Sequence, residues 1–225
     1  MLTFGQKIFK FYKTLKTPSK LPSGIETMNP YTETPVLGYL KEFSVKFFND
    51  NNKRVFVFGI NPGRFGAGLT GVTFTDPVAL EEFCGIKTNL EKRRELSSDF
   101  IYRFIDYWGG AKKFYKHFFL TAVSPLGFTR DGINYNYYDD PDLLKASSSF
   151  ISQTLYDQLA FGARRDVAIV LGTGKNRKAF TDLNKKHKFF EKVFFLEHPR
   201  FIMQYRRKKI PEYLDKYKEV FVKVA

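Results

Sequence analysis

Apolar positions recur along this chain in two rhythms. Near the start, Phe4, Ile8, Phe9, Tyr12 and Leu15 fall three or four residues apart with lysines between them. That spacing predicts an amphipathic helix over 3–16 with a solvated lysine face. Residues 17–52 are interrupted by Pro18, Pro22, Pro30 and Pro35 and predict a loop around one short helix. Four short runs follow: Arg54–Phe58, Phe118–Val123, Asp166–Leu171 and Lys192–Leu196. Each is rich in Val, Phe or Ile, ends in Gly, Pro or a polar turn, and reads as a strand. Helical patterns occupy 77–84, 98–116, 140–162, 175–187 and 211–223. Strands alternating with helices predict an α/β fold, a three-layer α/β/α sandwich around a central four-stranded, mainly parallel sheet. One domain over 1–225 is expected, with 1–53 packed on it as an N-terminal helix and loop. Ligands of such sheets bind outside the carboxyl ends of the strands. That rule points to the loops beginning at Gly59, Ser124, Gly172 and Glu197.

Composition narrows the class. With 26 Phe and 13 Tyr, most rings must be core, because they are too many for a recognition surface. The single cysteine, Cys84, excludes an internal disulfide, and with three histidines no cysteine-ligated zinc or iron–sulfur site is expected. No metal and no cofactor are therefore expected. The first sixteen residues lack the unbroken apolar run of a signal peptide, and no stretch approaches the roughly 18 apolar residues of a membrane span. The expected location is cytoplasmic and nucleoid-associated, with no membrane partner and a monomeric chain.

The net charge of +14 is unevenly placed. Residues 1–54 carry 9 Lys/Arg against 4 acids, 55–173 carry 13 of each, and 174–225 carry 15 against 6. Charge concentrated near the chain ends suits an anionic polymer, although a solvated lysine surface has the same composition. The run Tyr205-Arg206-Arg207-Lys208-Lys209 shifts the balance toward nucleic acid.

Two loops carry candidate chemistry. Gly59–Phe74 holds five glycines and Pro62 in sixteen residues, a composition suited to close backbone approach or positive φ, or simply to a flexible turn. Asn61 sits at the strand end, where a short amide can hold a water or a substrate edge. At the fourth strand's end, His198 lies at the same sheet edge as Asn61, and Pro199 stiffens the backbone beside it and biases it away from helical geometry. Leu171-Gly172-Thr173-Gly174-Lys175 lacks the spacing of a nucleotide phosphate loop. It reads as a tight strand-to-helix turn where backbone N–H groups and Lys175 can meet a DNA phosphate. Asp139, Asp140 and Asp142 are accounted for by helix capping.

Taken together, these segments resemble the uracil-DNA glycosylase superfamily, and most closely its single-strand-selective monofunctional branch. Gly59-Ile60-Asn61-Pro62-Gly63, followed by Phe65-Gly66 and Thr70-Gly71-Val72-Thr73-Phe74, is similar to that branch's first motif. Ser124-Pro125-Leu126 resembles its middle motif, and His198-Pro199 its last. The resemblance implies that Asn61 positions the attacking water or contacts the flipped nucleotide. Gly63 would leave room for that water, Phe74 would stack on the extruded base, and Ile60 and Phe65 would shape the pocket. His198 would donate to the base carbonyl. Where the family has an asparagine that reads the edge of uracil, this chain has Ala122. Backbone groups, Thr121 or Ser124 could then stand in, or the base could be another deaminated one such as xanthine. The family's Ser-Pro after His-Pro is replaced by Arg200-Phe201, either of which could wedge into the duplex. Arg206, Arg207 and Lys208 would hold the strand.

The implied function is a monofunctional, metal-free glycosylase of base excision repair, releasing uracil or a related base from single- or double-stranded DNA. A non-catalytic damage-binding protein on the same fold is the alternative. A hydrolase of free nucleosides is a third, against which the basic C-terminal segment argues.

Overall fold

The computed structural model describes all 225 residues. In chain order the elements are α1 (Phe4–Lys13), β1 (Ile25–Met28), α2 (Thr34–Phe48), β2 (Arg54–Gly59), α3 (Ala67–Thr70), α4 (Pro77–Glu82), α5 (Leu96–Trp108) and α6 (Ala111–His117). There follow β3 (Phe118–Ala122), β4 (Gly127–Arg130), β5 (Ile133–Tyr135), α7 (Pro141–Leu159), β6 (Ala163–Leu171), α8 (Lys175–His187), β7 (Lys192–Leu196), α9 (Pro199–Tyr205) and α10 (Ile210–Val224).

The four expected strands form one sheet in the order β3-β2-β6-β7, parallel throughout. Because β2, β3 and the Val167–Leu171 part of β6 are buried on both faces, their residues are apolar almost continuously. Phe56, Phe58 and Phe119 face one side. There Phe4 of α1 packs edge-on against Phe56 and Phe119, and Phe180 of α8 lies 5.4 Å from Phe58 between centroids. Phe118 faces the other side, against Trp108 of α5 and Phe221 of α10. This is the three-layer arrangement expected from the sequence. No helix is long and apolar enough to cross a membrane.

Arg54, fully buried at the start of β2, is held by two hydrogen bonds to Asp50 (2.9 and 2.8 Å), one to the Tyr115 carbonyl (2.8 Å), and the rings of Phe4 and Phe48. The guanidinium draws the Asp50 carboxyl below its ordinary pKa. A buried charge needs this degree of pairing.

The structure differs from the sequence expectations in four places. Residues 17–52 contain β1 and the fifteen-residue α2. Pro35 lies in the first turn of α2, where a missing N–H costs nothing, so it starts the helix instead of breaking it. The helix expected over 98–116 is two, parted at Gly109 and Gly110 with φ of 111° and 93°. Residues 127–135 form a hairpin, β4–β5, that turns at Asp131-Gly132 with φ of 51° and 68° and joins β1 in a second, antiparallel sheet. The loop expected at Glu197-His198-Pro199-Arg200 gives way to helix α9, which Pro199 opens from its first turn.

Candidate active site

The carboxyl ends of β2, β3 and β7 open into a cleft of about 730 Å³, and Asn61 stands at its wall. The loop after β2 is anchored to the one after β3, since Val123 N–H donates to Gly59 O and Ser124 N–H to Ile60 O, both at 3.1 Å. The Asn61 amide is held from the β5 end of the hairpin. Its Nδ2 donates to Tyr135 O (3.3 Å) and more weakly to Pro62 O (3.4 Å), while its Oδ1 accepts from Tyr137 N–H (3.2 Å). Both amide protons are thus engaged, and one Oδ1 lone pair remains.

Phe74 is mostly buried, and its backbone is left-handed with φ 57°, an uncommon conformation for a bulky residue. The fold around it enforces that geometry. Thr70 Oγ1 donates to Thr75 O at 2.6 Å, and Thr75 shares a 2.9 Å hydrogen bond with the buried Tyr102 hydroxyl. The Phe74 ring lies against Gly59, where a Cβ would stand 2.6 Å from Cζ. Only glycine at 59 lets the ring reach the cleft wall. Gly68 has a comparable reason, because a Cβ there would meet Gly63 O at 2.8 Å.

His198 caps α9. Its Nδ1 accepts the backbone N–H of Arg200 (3.2 Å), and Pro199 occupies the first helical position. An N–H donated to Nδ1 puts the ring proton on Nε2. The ring centroid is 5.8 Å from that of Phe74, and burial, with Arg200 adding to it, pushes the imidazole pKa down to about 4. A neutral imidazole with an Nε2–H donor therefore lines the cleft at pH 7.

Ile60, Gly63, Phe65 and Ala122, expected in the pocket, also line the cleft, and so does Arg200, which the sequence placed as a wedge. The Arg93 guanidinium sits 3.6 Å from the Phe65 ring centroid and that of Arg64 5.0 Å, so Phe65 forms a cation-capped wall. Thr121 and Ser124 are corrections, since both are fully buried away from the cleft. Thr121 sits on the opposite face of the sheet from Ala122 and donates to Gln158 of α7, while Ser124 folds back onto Leu126 O at 2.7 Å. Lys175 is exposed at the start of α8, outside the cleft lining. Phe201 is exposed on α9 with Tyr205 at 5.6 Å and the Arg206 guanidinium at 5.3 Å from its ring centroid, and Arg206, Arg207 and Lys208 border a shallow second hollow with Tyr205.

Several cleft residues escaped the sequence reading, among them Arg64, Arg93, Arg94 and Asn134. The Asp131-Gly132 pair, flanked by apolar residues, is a hairpin signal that would have located Asn134. No comparable signal marks Arg93 or Arg94.

Comparison with known proteins agrees with this geometry. The family model described as Uracil DNA glycosylase superfamily matches residues 45–222. The crystal structure of wild-type SMUG2 from Pedobacter heparinus matches with a TM-score of 0.95 and 44% identity, covering 98% of this chain and 97% of that one. Comparison with curated proteins gave no match. With the family model spanning most of the chain and the sheet, cleft and motif loops arranged as described, this protein belongs to the uracil DNA glycosylase superfamily.

Proposed function

We propose that the protein is a monofunctional DNA glycosylase that hydrolyses the N-glycosidic bond of uracil or a related deaminated base. The observation that carries this reading is the meeting of Asn61 and Phe74, from the loop after β2, with His198, from the loop after β7, in one cleft. Family membership supports the reaction class.

The chemistry follows from what each group can do. Breaking the C1′–N bond leaves positive charge on the sugar and negative charge on the base. His198 Nε2–H, neutral and fixed by Arg200, donates to a base carbonyl as that charge grows. Preorganised donors of this kind are typically worth about 10²–10³ in rate. Phe74 offers a ring face to the extruded base, offsetting part of the few kcal/mol that unstacking costs. The free lone pair of Asn61 Oδ1 accepts from the attacking water, whose hydroxyl adds to C1′ and whose proton ends on the departing base. The cleft's cations are Arg64, Arg93, Arg94 and Arg200, with no lysine amine in its lining to attack C1′. That lining favours simple hydrolysis over a Schiff-base route. The same arginines, against Glu95 as the lining's acid, suit a phosphodiester strand.

The test is strand cleavage by alkali after incubation with labelled oligonucleotides bearing one uracil, xanthine or hypoxanthine, single-stranded and paired. Cleavage that His198→Ala abolishes supports the reading. DNA binding without cleavage of any substrate replaces it with a damage-binding role.

A further inference from the structure

Ala122 lines the cleft without a polar side-chain atom, and Thr121 and Ser124 are buried elsewhere. Selection of a base therefore needs another polar group whose donor or acceptor sense is fixed. Asn136 is fixed in the opposite sense, because its Nδ2 donates to Asp139 at 2.9 Å and the end left free is the Oδ1 acceptor, which cannot pair with a carbonyl. The protons of Asn61 are engaged as described above. Thr73 lines the cleft, but a hydroxyl rotates to suit either kind of partner. Gln204 is exposed at the rim, where its amide can turn either way.

Asn134, on β5, is different. Its Oδ1 accepts the backbone N–H of Arg64 at 3.1 Å, and an N–H can bond only to the oxygen end of the amide. The orientation is thereby locked. Its Nδ2 has no protein partner and faces the cleft over Gly63, 3.5 Å from where a Cβ on that residue would stand. Gly63 leaves this approach open.

We infer that Asn134 is a specificity-determining residue whose locked Nδ2 donates to a carbonyl of the extruded base. This rests on the glycosylase reading above and deepens it. A fixed donor pairs with a ring carbonyl, the group deamination creates. It meets the exocyclic amino group of an undamaged base donor to donor, leaving both unpaired, which is how a polar pocket rejects an analogue. The β4–β5 hairpin thus supplies both the clamp on Asn61 and the reader of the base.

Two substitutions separate this role from support of the loop. Asn134→Asp keeps an oxygen for the Arg64 N–H and removes the donors, whereas Asn134→Ala removes both. Single-turnover release from single-stranded oligonucleotides carrying uracil or cytosine is measured, with binding to the same strands read by fluorescence anisotropy. Both variants are expected to bind DNA as the wild type does and to release uracil slower by about tenfold or more. The uracil-to-cytosine ratio should fall furthest in the Asp variant, whose carboxylate accepts from an amino group. Wild-type uracil release by Asn134→Asp overturns the inference, and with an impaired Asn134→Ala it assigns Asn134 to loop support alone. Should Asn134→Asp fail to fold, Asn134→Ala is compared with wild type on uracil against 2-pyrimidinone, which lacks the second carbonyl. Loss of the wild-type preference for uracil supports the assignment, and an unchanged preference overturns it. A wild-type protein that releases no base at all sinks the glycosylase reading itself, a result distinct from either.

Discussion

The backbone N–H of Tyr137 donates to Asn61 Oδ1 at 3.2 Å across 76 residues of chain. The amide at the end of the central strand is therefore oriented by a hairpin outside the main sheet. The same Tyr137 donates its hydroxyl to Asn176 Oδ1 at 2.8 Å, and Asn176 in turn bonds Leu171 O at the end of β6. One residue ties together the loops after two adjacent parallel strands.

Substitution at Asn61 should therefore show in two readouts. Asn61→Ala frees Tyr137 N–H and Tyr135 O and should cost about 1–3 kcal/mol of stability, read by chemical denaturation. Asn61→Asp keeps the acceptor for Tyr137 and should be milder in stability. If the amide serves only to hold the hairpin, base release will follow stability across the two variants. The glycosylase reading expects the Ala variant to lose far more release than its stability accounts for.

Gly59→Ala tests the seat of Phe74. The added methyl would stand 2.6 Å from Cζ and 2.8 Å from Cε2 of that ring. Overpacking of this kind costs about 1–3 kcal/mol and displaces the ring from the cleft wall. Base release should fall sharply while affinity for an undamaged strand stays near wild type. A fully active variant would show that the ring's position is immaterial.

The pH dependence follows from His198. Its folded pKa is about 4, below the ordinary value of 6.5. Well above pH 6.5 both folded and unfolded rings are neutral, so the group contributes nothing to stability there. As pH falls from 6.5 toward 4, the unfolded chain binds a proton that the native state does not, and stability declines. Base release should hold level from about pH 8 down to about pH 5, since the donor stays neutral throughout. An inflection near 6.5 would contradict a neutral, partly buried imidazole.

Replacing Arg206, Arg207 and Lys208 together with alanine tests the basic segment. If all three meet phosphates, the slope of log affinity against log salt for single strands should flatten by about 2. Single-turnover release at saturating protein should be little changed, because these residues sit outside the cleft lining. An unaltered salt slope would assign the charge to solvent.

Much of the architecture was legible in local pattern. The four strands were marked by Val, Phe and Ile runs because burial on both faces leaves no polar alternation. The site loops followed from the rule for parallel sheets, while the five glycines left close packing and a flexible turn equally open until Gly59 and Gly68 showed close packing. Pro35 and Pro199 misled because a proline that breaks a helix interior also opens a helix at its first turn, and pattern alone does not say which. Thr121 misled because adjacent strand residues face opposite sides, and its partner Gln158 lies on a helix 37 residues away.

The sequence by itself determined the parallel sheet, its strand ends and the residue types at Asn61, Phe74 and His198, since these depend on burial period and short motifs. Only the tertiary structure decided which polar groups meet in the cleft. Arg64, Arg93 and Arg94 belong to a stretch of chain with no net charge, yet they stand together there. The amide of Asn134 faces Gly63 because a hairpin 70 residues onward closes over the β2 loop. The physical reason is that such contacts are set by loop closure and packing between distant segments, which leave no period or cap in the chain itself.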